Sequence, residues 1–295
     1  MEKIKSDVMI FNLIAYIFIG TIAICCLFPF LILVIGSFTA EEHIIRYGFT
    51  LFPGQLSLEA YDAIFRNPWK ILRSYSVTVF ITVAGTGTSL FMSTMAAYVM
   101  YRKDFKYRNY IAFYLYFTTL FSGGLVPYYI LVVRYLHMKN TITILLLSGM
   151  FSVFNILILR NFISGSIPDS LVESAKIDGA GDFLIFVRIV FPLMKPALAS
   201  IGLFTALVYW NDWWTSMLFI QKDYLYPLQY SLYLMISSVN FATSMVMKLT
   251  MPTIDMPKES LKLAMTVVAT GPIVFLYPLV QKHFIKGITI GAVKG

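Results

Sequence analysis

The stretch VMIFNLIAYIFIGTIAICCLFPFLILVIGSFTA, residues 8–40, contains no Asp, Glu, Lys or Arg. A helix needs ~20 predominantly apolar residues to cross the hydrocarbon core of a bilayer, and this run exceeds that length. The apolar core of a signal peptide ends after ~7–15 residues, with a small-residue cleavage site behind it, so the run reads as a retained span. Backbone polar groups in lipid must pair within their own segment, which makes the run a helix. Cys25 and Cys26 lie inside it. Adjacent helical residues point in different directions and seldom bridge, so both thiols read as small apolar packing residues without a redox role.

Five further uncharged runs follow, at 74–101, 109–133, 140–159, 196–211 (continuing past Asp212 to Gln221) and 263–281. Over 295 residues, 58% are hydrophobic and only 13% charged, against about 25% charged in a soluble domain. The expected fold is an all-α membrane protein, one transmembrane domain over 1–295. Its six spans are placed at about 10–37, 75–100, 110–133, 141–162, 197–220 and 263–282.

Basic residues in short loops set orientation. Lys3 and Lys5 precede the first span, Arg102, Lys103, Lys106 and Arg108 crowd the link after the second, and Lys282, Lys286 and Lys294 follow the sixth. The link after the third span offers Arg134 and Lys139. Both termini and the loop 164–196 are therefore expected on the cytoplasmic side, with long outer loops at 41–73 and 222–262. The formal net charge of +8 is explained by these loops. No nucleic-acid recognition module is visible.

Loop 164–196 is the polar hinge of the chain. Pro168 suits a first helical turn, with Asp169 or Ser170 able to cap free N–H groups. Glu173 in that turn suits the helix dipole. Asp178 and Gly179 end the helix, Gly179 being free to turn left-handed. Asp182 is placed to cap a second segment through Phe183, Phe186, Val187 and Val190, and Pro192 and Pro196 punctuate entry into the fifth span. The product is a helix–turn–helix with one apolar side. It serves either as a grip for a soluble partner or as an interfacial helix resting on lipid.

The order Glu173-x-Ala175, three residues, Gly179, nine residues, Ile189-x-x-Pro192 resembles the loop that marks permease subunits of ATP-binding-cassette importers. Ser174 and Phe191 replace the family's usual Ala and Leu. The extension Asp178-Gly179-Ala180 looks like the carbohydrate branch, close to the shorter permease of maltose-type systems. Further resembling segments are 121–124, 209–213, 257–261 and the tail 286–295, so the likeness covers nearly the whole chain.

That resemblance implies the type I ABC importer permease fold in a bacterial inner membrane, embedded in lipid. The implied partners are a second permease, two ATP-binding cassette subunits and an extracellular or periplasmic sugar-binding protein. It also implies that Glu173, Ser174, Ala175, Asp178, Gly179, Ala180, Ile189 and Pro192 dock as a coupling helix. Ala175, Gly179 and Ala180 would offer small contact surfaces, and Glu173 would fix register. The tail, through Lys286, Gly291 and Lys294, is expected to contact the ATPase pair, and 240–257 with Asn240, Thr243, Ser244 and Met245 to meet the binding protein.

No P-loop occurs, so ATP and Mg are expected to be used by partner subunits, with no cofactor or metal bound by this chain and no enzyme activity of its own. His43, His137 and His283 are scattered over separate loops. Substrate-pathway candidates are Asn155, Tyr209, Trp210, Asn211 and Trp213. Tyr209 and Trp213 are four residues apart and would share a helical face. An interfacial aromatic belt is the competing account, because Asp212 lies ~24 Å along a helix from Pro196. Asn155 equally suits a helix–helix hydrogen bond. Gly123, Gly124 and Pro127 suggest a hinge in the third span. Two alternative functions are an ion-coupled carrier, for which intramembrane ionisable residues are wanting apart from Asp212, and a membrane sensor or scaffold. The sequence leaves the sugar open.

Overall fold

The computed structural model describes residues 2–249 and 258–274, and the described residues carry no β-strand beyond one isolated bridge. They fall into two compact units: residues 2–68 with 234–249 and 258–272, and residues 69–233 with 273–274.

In the first unit α1 runs from Glu2 to Ser37, passing through Pro29 without ending. From Met9 to Phe30 its side chains lie mostly exposed, apolar all round. The segment expected as an outer loop then folds into α2 (Glu41–Tyr47) and α3 (Glu59–Phe65). Thr39 bridges Leu56. Ser37 Oγ meets the Tyr61 hydroxyl at 2.8 Å, and Phe38 stacks on Tyr61.

The second unit is built on α4 (Pro68–Tyr101), which starts earlier than the uncharged run suggested. Its buried residues Ile71, Ser74, Thr78, Ile81, Gly85, Ser89, Ser93, Ala97 and Met100 recur at three and four residues and so form one face. Most are small or hydroxylic, which lets other backbones approach. Ser74 Oγ meets Ser231 Oγ at 2.7 Å, and Thr78 Oγ1 accepts from Leu228 N at 2.8 Å.

Three expected spans are interrupted. The third is α5 (Arg108–Leu120) and α6 (Leu125–Ile130, continued by a wide turn Leu131–Tyr135), meeting at 116° across 121–124, where Gly124 takes φ 83°. The fourth is α7 (Ile142–Leu147) and α8 (Val153–Ser166), with Ser152 Oγ capping α8 through Asn155 N. Then come α9 (Asp169–Ile177), α10 (Asp182–Ile185, leading through a wide turn Phe186–Val190) and α11 (Phe191–Leu193). The fifth is α12 (Lys195–Trp210), bent 79° from the preceding segment, and α13 (Trp214–Phe219). Asp212, one residue before the N-cap Trp213, accepts through Oδ1 from Thr215 N at 3.0 Å in the first turn of α13, which gives the carboxylate in this apolar run a backbone partner.

The expected outer loop 222–262 is largely helical: α14 spans Leu228–Leu249 and α15 covers 259–274. Two of the described helices are long and apolar enough to cross a membrane, or up to four if each bent pair is one crossing.

Candidate docking segment and pathway residues

The helix–turn–helix expected at 168–190 is present, but its caps differ from expectation. Neither Asp169 nor Ser170 caps α9, and Asp182 does not cap α10. Their carboxylates are taken elsewhere. Asp169 accepts from the Tyr101 hydroxyl and, at 2.7 Å, from Lys103. Asp182 accepts from Arg102 Nη1. The turn is as read from the sequence: Gly179 stands at φ 81°, with Gly179 N on Lys176 O and Ala180 N on Ala175 O, each at 3.0 Å.

Val172, Ile185, Phe186 and Val190 are buried with Tyr98 and Met100 of α4 and Ile163 of α8. Ala175, Ala180 and Ile189 pack partly buried against that core. Within this chain the small side chains of Ala175 and Ala180 let the segment seat closely on its own core. Glu173, Ser174, Asp178, Gly179 and Pro192 are exposed. Among the described residues, the Glu173 side chain makes no hydrogen bond or ion pair. Two apolar side chains stand out beside them: Ile177, which sequence reading passed over, at 86% exposure, and Phe183, expected on the apolar side of the second segment, at 65%.

Arg102 and Lys103, read from sequence only as part of a topological charge cluster, are also paired, and so is Asp104, which sequence reading did not single out. Arg102 Nε donates to Asp104 Oδ1 at 2.6 Å, its Nη2 meets Asp104 Oδ2, and its Nη1 meets Asp182. Lys176 Nζ reaches Asp104 Oδ2 at 2.6 Å. Hydrogen bonds from Arg102 first, then Lys176, hold the Asp104 carboxyl well below the usual carboxylate range. Hydrogen bonds from Lys103 and then Tyr101 lower that of Asp169. Apart from Arg102 and Asp104, two positions apart, these partners lie 66 to 80 positions apart in sequence, beyond any local spacing rule.

The pathway candidates divide. Tyr209 is 1% exposed, its hydroxyl donates to Leu146 O at 2.6 Å, and its ring lies against Gly85 and Gly149. Trp210 is also buried. Both side chains are enclosed within this chain and present no open ring face. The shared face of Tyr209 and Trp213 does not form, because α12 ends at Trp210. Trp213 instead stacks on Tyr233 at 4.6 Å, and exposed Asn211 accepts from Gln229 at 3.3 Å. Asn155 Nδ2 donates to Thr205 Oγ1 at 3.4 Å, the helix–helix bond weighed for it. Asn240, Thr243, Ser244 and Met245 lie within α14, not in a loop tip, and Asn240 is exposed. Lys286, Gly291 and Lys294 lie outside the described residues. Among those described, no group of His, Cys, Asp and Glu is gathered to hold a metal ion.

The chain is 40% identical, over 97% of its length and 99% of the other, to the polygalacturonan/rhamnogalacturonan transport system permease protein YtcP of Bacillus subtilis. This chain belongs to the permeases of sugar ABC transport systems. The permease is also 29% identical, end to end, to the arabinooligosaccharides transport system permease protein AraQ of Halalkalibacterium halodurans. Its fold matches a chain in the crystal structure of a bacterial ABC transporter that imports the acidic polysaccharide alginate. That match has a TM-score of 0.78 and 29% identity, and covers 94% of the permease and 97% of the other chain. No family model matches it. The permease is a membrane protein, and its relatives are transporters, not enzymes.

Proposed function

We propose that the permease is one of two homologous permease subunits of an ATP-driven importer for oligosaccharides. In this reading it crosses the bacterial inner membrane six times, with both termini and segment 164–196 in the cytoplasm. The observation that carries the reading is the docking segment. An exposed edge, Glu173–Asp178, is mounted on a helix–turn–helix whose other side is sunk in the core. A solvated edge on a fixed support suits a lever gripped by a soluble ATPase. Exposed Ile177 supplies the apolar anchor that a stable contact needs at its centre. ATP and Mg act in the partner subunits.

Fragments of acidic polysaccharides are the first sugars to test, since two of the relatives named above are linked to galacturonan and alginate. Asn211, Gln229 and the Trp213–Tyr233 pair are the groups here that offer ring faces with oriented amides, the combination that suits a sugar. Asn240 and the residues after it remain the proposed contact with an extracellular binding protein, and the tail with Lys286, Gly291 and Lys294 a second ATPase contact.

The test is purification through an N-terminal tag in mild detergent, followed by mass spectrometry. Recovery of a second permease and a P-loop ATPase is the expected result. A monodisperse sample that brings down neither would refute the importer and favour a carrier or sensor.

A further inference from the structure

The last residue of α4 and the three that follow it touch both arms of the docking segment. Asp169 and Lys176 belong to α9 and Asp182 to α10, and all three are bonded to residues within Tyr101–Asp104. Lys176–Asp104–Arg102–Asp182 forms one unbroken chain of ion pairs. Its ends grip the positions on either side of the turn at 178–181, so the turn is strapped from behind while its exposed edge stays free. The guanidinium of Arg102 uses its planar fork on two carboxylates at once, a geometry a lysine cannot copy. Its side chain is 13% exposed, whereas Lys103 and Asp169 are 72% and 46% exposed. The Arg102 guanidinium is thus largely covered while its partners Asp104 and Asp182 stay 51% and 63% exposed; in the Lys103 pair both partners are solvated, the kind that contributes little.

What the strap is fastened to matters equally. The helix α4 is continuous for 34 residues, ~50 Å at 1.5 Å per residue. The helix that follows the segment, α12, meets it at 79°, and the one before it, α8, has 14 residues. A push delivered to the segment therefore has one unbroken rod to enter.

We propose that Arg102 and Asp104 are positioning residues that lock the docking segment to α4, so that segment and helix move as one body during transport. The apolar core beneath the segment opposes separation but not sliding. The directional ion pairs supply the register. This inference rests on the importer reading and assigns register to Arg102 and Asp104 in place of Glu173.

The test places spin labels at Leu171→Cys, on α9 outside the edge Glu173–Asp178, and Val83→Cys, both exposed positions, in a chain whose Cys25 and Cys26 are replaced by Ala, purified as the complex. The distance between labels is expected to be narrow, and equal in the nucleotide-free and the ATP–vanadate-trapped states. Arg102→Gln is expected to broaden it. In proteoliposomes given a galacturonan digest, Arg102→Gln should also lower uptake per ATP hydrolysed about threefold to thirtyfold, the range of coupling changes seen along such networks. Basal hydrolysis should persist. Asp104→Asn, a smaller change, should reproduce both effects, and Lys103→Gln neither. A merely structural role would not separate uptake from hydrolysis. The proposal is overturned by a narrow distance or undiminished uptake per ATP in Arg102→Gln, or by a wild-type distance that changes on trapping. A preparation carrying no ATPase refutes the importer reading instead, and the two labels still report whether Arg102 holds the segment.

Discussion

Gly179 stands at φ 81° with open space where a Cβ would go, so backbone conformation selects glycine there and crowding within the chain does not. A β-branched residue in that region costs about 1–2 kcal/mol, and asparagine costs less. Gly179→Val is therefore expected to uncouple ATP hydrolysis from uptake, while Gly179→Asn keeps most of both, as measured in reconstituted vesicles. Equal loss in the two would mean that a partner's surface, not the turn, demands glycine. Asp104 and Asp169 give a second expectation. Their folded pKa values are lowered, so their contribution is present above the unfolded value of about 4 and is lost only as pH falls through the folded ones. Coupling should show no step from these groups between pH 5 and 8. The Gly179 turn was legible in sequence because a helix stop is a local signal. The acidic caps were misread because Asp169 and Asp182 serve partners far away in the chain, and nothing local announces that.

Tyr209 shows at the scale of elements why apolar runs gave lengths but not breaks. A Cβ on Gly85 would fall 2.5 Å from its ring and one on Gly149 2.9 Å, so α4 and the break after α7 both close around this tyrosine. Losing its hydroxyl bond to Leu146 O should cost about 1 kcal/mol. Tyr209→Phe is thus expected to lower the thermal unfolding midpoint in detergent slightly, with uptake unchanged. Gly85→Leu must displace a buried ring and should lower the midpoint far more; a Gly85→Leu protein as stable as the wild type would remove Tyr209 from the framework. Similar logic applies to Glu41. Burial works to raise its pKa, but hydrogen bonds from Glu259 N, Ser260 N and Ser260 Oγ prevail, and the carboxylate sits on the first turn of α15 with its pKa lowered. Hydropathy locates α15 and says nothing about which acid caps it. On α9, by contrast, Ile177→Asp removes an exposed side chain, so it should leave the unfolding midpoint unchanged and abolish co-purification of the ATPase.

At the scale of the molecule, the open question of topology reduces to the bent pair α5 and α6. If it is one crossing, Lys106 and Arg134 lie on opposite faces of the membrane; if it is re-entrant, they share one. The second unit supplies the argument. Ile81 packs with Val132, Ile144 and Phe219, while Tyr98 packs with Ile163, Val172 and Phe186. These two residues are 17 positions apart on α4, ~25 Å along a helix, which nearly fills the ~30 Å hydrocarbon thickness. The link 134–140 is joined to the first of these clusters, Asn140 N donating to Phe219 O and Gln221 N to Asn140 Oδ1. The ion-pair strap is joined to the second. A re-entrant pair would have to bring both clusters to one face, so their separation along a continuous α4 favours the single crossing that the importer reading expects. Single cysteines at Arg134 and Lys222, in a chain freed of Cys25 and Cys26, should therefore react with an impermeant maleimide on intact cells. Cysteines at Lys106 and Ser174 should react only after permeabilisation. Labelling of 106 and 134 from the same side would sink the six-span topology and leave α5 and α6 as a re-entrant loop. The expected pattern would also put the docking segment in the compartment that holds ATP, the condition on which every coupling experiment above depends.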